Sequence, residues 1–127
     1  MVDHLDLVAE ARQAQRMRAL ALANQRRQDN KRVKIALREG KLDAYDVIAG
    51  KLADVIPDRE LADRLTQLTD RWTLEHTVRS VRGVGPVRAK EILVAMSASP
   101  RARLGALTFA RREKLAYLCK RSVEQKL

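Results

Sequence analysis

Aromatic side chains are scarce in this sequence. Only 3% of its 127 residues are aromatic, with one Trp, two Tyr and one Phe. A core must therefore be built from Leu, Val, Ile and Ala, and that mixture, interspersed with Arg, Lys, Glu and Gln, favours helices over strands. Cysteine is almost absent: the single Cys119 has no partner for an internal disulfide, which suits a reducing cytosol. Its helical setting suits a small apolar filler better than a reactive thiol. No run of 18 apolar residues is present, so a membrane span is not expected. Met1 is followed by acidic residues rather than by a basic, then apolar, leader, so a secretory signal is not expected. Two histidines, His4 and His76, lack metal-ligand spacing with Cys119. Nucleophile motifs, a Walker-type phosphate loop and a dinucleotide fingerprint are missing. An enzyme, a metal site, a cofactor and a small-molecule substrate are not expected.

What the chain does have is positive charge, +10 net at pH 7. Its placement carries more information than its size. Residues 1–40 hold nine cations and five anions, residues 41–77 five and eight, and residues 78–127 twelve and three. Clustering of this kind is the electrostatic footprint of a polyanion binder; the alternative is a highly soluble surface, which does not require such segregation.

Helix signals run along the chain. The first forty residues contain no proline and no glycine before Gly40. They predict one long helix, capped near Asp3 and stopped at Gly40. At 1.5 Å per residue it would reach about 50 Å. Residues 24–32 contain no apolar residue, so that stretch should stand in solvent or lie on a charged partner. Val33, Ile35, Ala36 and Leu37 are expected to anchor the helix end. Arg27, Lys31, Lys34 and Arg38 fall on one helical face. Such a stripe repels itself by a few tenths of a kcal/mol per pair unless something neutralises it. A coiled-coil dimer is disfavoured, because no heptad seam is sustained.

Further helices are predicted from Asp43 to Ile48, from Asp58 to Leu68, after Thr73, from Pro86 to Met96, and after Thr108. Phe109, Leu115 and Leu118 are expected to face the core, as is Trp72. The acids of the middle segment read as surface charges. The division is residues 1–40 as a long basic helix and 41–127 as a helical binding domain.

Residues 81–90, Val-Arg-Gly-Val-Gly-Pro-Val-Arg-Ala-Lys, are the most informative stretch. They read as a helix end, a Gly-Val-Gly turn, and a second helix begun by Pro86, which suits a first turn. Gly83 and Gly85 permit positive φ and close backbone approach. The N–H groups of Gly85, Val87 and Arg88 would point at an anion above the turn. Such a hairpin would grip a nucleic-acid backbone without reading bases; the alternative is a tight helix–helix turn that needs glycine for steric reasons only. The loop Pro100-Arg101-Ala102-Arg103-Leu104-Gly105 offers two guanidiniums for a minor groove or a second phosphate.

Together the basic N-terminal helix, the turn with Val87-Arg88-Ala89-Lys90, and the Arg-x-Arg-x-Gly loop resemble the actinobacterial integration host factor family. These are small helical nucleoid-associated proteins with a helix-two-turn-helix domain. They are unrelated in fold to the αβ heterodimer called integration host factor in other bacteria. The resemblance is best over residues 78–118 and looser over 17–48. It implies an all-α fold and largely sequence-independent binding of duplex DNA, with bending or compaction. It also implies support of site-specific recombination, with a phage or host integrase as partner, and a cytoplasmic location on the nucleoid. It implies that Gly83, Val84 and Gly85 supply the turn, that Arg88 and Lys90 add cations, and that Arg101 and Arg103 reach DNA. The chain departs from the family pattern in having Arg82 where a proline usually precedes the turn and Pro86 where a lysine usually follows. The acidic stretch 49–71 also looks longer than usual.

Two other readings remain open. Ribosomal proteins use a related domain, so an RNA-binding module is the alternative. A DNA-repair subunit with a similar turn would need a catalytic residue or domain that the sequence does not display.

Overall fold

The computed structural model describes residues 4–124. Among them the regular structure is helical, with one isolated bridge between Thr73 and Arg103. Helix α1 spans His4–Arg38, α2 Ala44–Ala49, α3 Leu52–Val55, α4 Arg59–Asp70, α5 Leu74–Arg79, α6 Pro86–Ala95 and α7 Phe109–Glu124; a 3-10 turn covers Leu104–Ala106. The 35 residues of α1 make the long helix that the sequence predicts. The proposed cap Asp3 lies outside the described residues.

Local chemistry sets the boundaries. Asp43 accepts from the Tyr45 amide, Asp58 from Leu61, Thr73 from His76 and Thr108 from Arg111. Each satisfies an amide that a helix start would otherwise leave unpaired. Helix α3 was not anticipated; it occupies the residues between Gly50 and the break at Pro57.

The core gathers Val47, Ile48, Leu52, Leu65, Leu74, Val78, Val81, Ile92, Leu93, Leu104 and Leu115. Trp72 is buried among them and Cys119 is wholly buried. Burial pushes the Cys119 thiol up to about 12, so it stays protonated and packs as an apolar group. Phe109 differs from expectation. It is 63% exposed at the first position of α7, whereas Leu115 further along the same helix is buried. Ile35 is also exposed, whereas Val33 is buried and Ala36 and Leu37 pack on the core.

Polar contacts dock α1. The Asp29 carboxylate is buried and receives the Arg64 guanidinium of α4 through two hydrogen bonds, of 2.8 and 3.2 Å. Gln25 adds a third at 3.0 Å, and the Trp72 indole N–H donates to Asn30 at 3.1 Å. One face of the apolar-free stretch 24–32, at Gln25, Asp29 and Asn30, thus docks on its own chain, while Asn24, Arg26, Arg27, Gln28, Lys31 and Arg32 stand in solvent.

Three of the C-terminal cations are engaged in structure. Arg112 donates to the Ile48 and Val47 carbonyls and pairs with Asp70 at 3.1 Å, tying α7 to the ends of α2 and α4. Asp70 is therefore not a free surface charge. Arg111 caps the end of α6 through the Met96 carbonyl. Arg88 donates to the Ser122 carbonyl and hydroxyl.

Candidate nucleic-acid interface

The turn between α5 and α6 is built from both ends. Ser80 and Val81 close α5 with carbonyl-directed amides, and the Val84 amide returns to the Val81 carbonyl at 3.1 Å. The Val81 and Val84 side chains are buried and pin the turn to the core. Gly83 sits at φ +91°, a backbone that L side chains rarely adopt. Gly85 differs: its φ is −85° and a Cβ there would meet nothing within 4 Å. The fold requires glycine at 83 but not at 85.

Gly85 is the N-cap of α6 and gives it no side-chain cap. Among the described residues the amides of Gly85, Val87 and Arg88 donate to no protein acceptor. Pro86 occupies the position whose amide would be unpaired in any case. Val87 is 72% exposed, so nothing covers the helix end. Positive backbone dipole and open donors together favour an anion at this place.

The outcome of Gly85→Ser follows. Serine is a good N-cap, so the thermal midpoint should hold or rise. Its hydroxyl would take the Arg88 amide and its Cβ would stand in the anion's approach, so binding of a phosphate-bearing ligand at this turn should weaken roughly tenfold, about 1.4 kcal/mol. Gly83→Ala should do the reverse and cost the fold roughly 1–2 kcal/mol through backbone strain. Unchanged binding by a stable Gly85→Ser protein would place the anion elsewhere.

The basic stripe of α1 is intact. Arg27, Lys31, Lys34 and Arg38 are exposed, and none has a carboxylate within 4.0 Å among the described residues. With Asn30 and Ile35 they line a shallow groove of about 360 Å³. Lys34 and Arg38 also form one wall of a larger open cleft of about 650 Å³. The opposite wall is His76, Arg79 and Ser80 of α5, and residues 81–84 of the turn. Tertiary packing thus brings the stripe and the turn, more than forty residues apart in sequence, around one concavity. Arg82 is exposed there without an ion pair; Arg79 reaches Glu75 at 3.7 Å, with both side chains more than half exposed. Such a surface pair contributes little, so the cleft keeps its positive potential.

His76 escaped the sequence reading. Its ring stands edge-on to Trp72, with centroids 4.7 Å apart at 87°. Burial, then Lys34 and Arg79, hold its pKa below the ordinary value. Trp72 and Arg79 stand four residues before it and three after, but the approach of Lys34 from α1 is signalled by no spacing in the sequence.

The arginine loop is held at the other end of α5. The Leu74 amide donates to the Ala102 carbonyl at 2.8 Å, the Glu75 amide to Pro100 at 3.1 Å, and the Leu104 amide to Trp72 at 2.9 Å. Arg101 and Arg103 are exposed and unpaired with any carboxylate among the described residues. Pro100 shares a hollow of about 370 Å³ with Pro86 and Lys90 of α6. The guanidinium of Arg88 is engaged with Ser122, leaving that residue its amide as the open donor. The arrangement leaves open amides and exposed cations, a combination that suits an anionic partner. Among the described residues no cluster of His, Cys, Asp and Glu could hold a metal. No helix there is long and apolar enough to cross a membrane.

Comparison with protein-family models, with curated proteins and with solved structures finds no match.

Proposed function

We propose that this chain is a non-enzymatic duplex-DNA-binding protein that holds the phosphate backbone in the cleft between α1 and the α5–α6 turn. The observation that carries this reading is the convergence of Lys34, Arg38, Arg79 and Arg82 on one concave surface beside a helix start with open amides. Backbone amides and flexible cations fix a strand without reading bases, so sequence preference should be low. Arg101 and Arg103, one helix length away, would reach a further phosphate or the minor groove. Contacts spread over α1, the turn and the loop favour a bent or compacted duplex. By resemblance to the actinobacterial integration host factor family, the setting would be the nucleoid, with a role in site-specific recombination beside an integrase.

The test is a salt titration of binding to a labelled duplex of about 20 base pairs, with structured RNA as competitor. Between 50 and 200 mM salt, affinity should fall steeply, by about 10³-fold if six phosphates are neutralised. Arg101→Ala/Arg103→Ala and Arg27→Ala/Lys31→Ala should each weaken binding and lower the salt slope by about one per lost phosphate contact. If only the loop pair matters, the outer part of the α1 stripe serves another partner. Salt-insensitive binding, or a preference for RNA over duplex DNA, would overturn the reading.

A further inference from the structure

His76 packs on Trp72 with one edge of its ring and lines the wall of the cleft. Its ring nitrogens have no hydrogen-bond partner among the described residues. It opens into the cleft together with Lys34 and Arg38 of α1, Arg79 of its own helix and Arg82 of the turn. The nearest carboxylate on its helix, Glu75, is directed to Arg79. A half-buried imidazole beside Lys34 and Arg79, with no hydrogen bond to its ring nitrogens among the described residues, gains a proton only at a cost. A phosphate in the cleft removes that obstacle, since it supplies both an acceptor and a counter-charge.

We propose that His76 is a proton-linked phosphate ligand of the cleft, so that the protein takes up a proton when it binds DNA. This rests on the DNA-binding reading above and adds to it a named ligand and a pH dependence. In the free protein the imidazole is neutral at pH 7, because burial and the neighbouring cations lower its pKa. Phosphate raises that pKa in the complex. Affinity then climbs as pH falls from the bound value toward the free value, which lies below 6.5. The free fold responds in the opposite sense. A depressed histidine pKa means that the unfolded chain binds more protons, so the unliganded protein loses stability as pH falls below about 6.5. Acid therefore tightens the complex while loosening the free protein.

The sequence makes the test clean. His76 and His4 are the only histidines, and the diester phosphates of DNA do not titrate in this range. Calorimetry of the wild-type protein with a 20-base-pair duplex, at constant ionic strength and in two buffers of different ionisation heat, counts the protons directly. Uptake of up to one proton is expected, with affinity rising severalfold from pH 7.5 to 5.5 and never more than about tenfold per pH unit. His76→Gln should bind with no such dependence, and His4→Gln should keep it. Equal pH profiles for wild type and His76→Gln, or no proton uptake by wild type, would overturn the proposal while leaving DNA binding intact. Absence of duplex binding at every pH would overturn both.

Discussion

Replacing Lys34, Arg38 and Arg82 together by alanine should remove about half of the logarithmic salt dependence of the proposed DNA binding, if six phosphates are neutralised. Each cation lost from a phosphate lowers the logarithmic salt slope by about one. Three fewer contacts shrink the change in affinity between 50 and 200 mM salt by roughly 40-fold. The fold should tolerate the change. All three side chains are exposed, and none is paired with a carboxylate among the described residues. Removing them relieves mutual repulsion, so the thermal midpoint should hold or rise slightly. A matched control separates geometry from bulk charge. Lys114, Lys120 and Arg121 are exposed cations of α7 outside the cleft. Their triple alanine variant removes the same charge and should weaken binding much less. Equal losses in the two variants would mean that net charge alone attracts DNA.

Arg64→Met should be the most damaging single change among the polar contacts of α1. The Asp29 side chain is 3% exposed, whereas Arg64 is 41% exposed. Deleting the arginine leaves a buried carboxylate with Gln25 as its remaining side-chain donor. Breaking a buried pair from one side typically costs about 3–5 kcal/mol; the partial exposure of Arg64 places the expected loss near the lower end. Asp29→Leu should cost less, because the stranded guanidinium can turn to water. If burial of the carboxylate is the cause, adding Asp29→Leu to Arg64→Met should recover part of the loss. Denaturant unfolding of the four proteins makes the double-mutant cycle. Equal costs for the two single changes would show that the contact acts by packing instead. DNA binding offers a second readout, since Lys34 and Arg38 form their wall of the cleft only while α1 is docked.

Much of the scaffold was legible residue by residue. Asp58, Thr73 and Thr108 cap the helices they were expected to start, and Asp43, read as the first residue of its helix, is its cap. Gly50 closes α2 and Pro86 opens α6. The Gly-Val-Gly turn lies between two helices as read. Failures fall where a side chain's environment depends on distant residues. Phe109 has the same helical spacing relative to Leu115 whether it is buried or not, yet it is exposed while Leu115 is buried. Arg88, Arg111 and Arg112 look like any other cation in a basic segment, yet all three donate to carbonyls. Part of the C-terminal charge is therefore structural.

The sequence alone determined the helical class, the long first helix, the caps and the turn. Those features arise from interactions within about four residues, such as hydrogen-bonded caps, glycine stops and a proline start, and neighbouring letters encode them. Only tertiary structure decided which charges meet. Asp29 finds Arg64 across 35 residues, and Trp72 finds Asn30 across 42. The same docking sets Lys34 and Arg38 opposite His76, Arg79 and Arg82. A charged side chain shows its sign in the sequence, but its partner and its burial follow from how the helices pack.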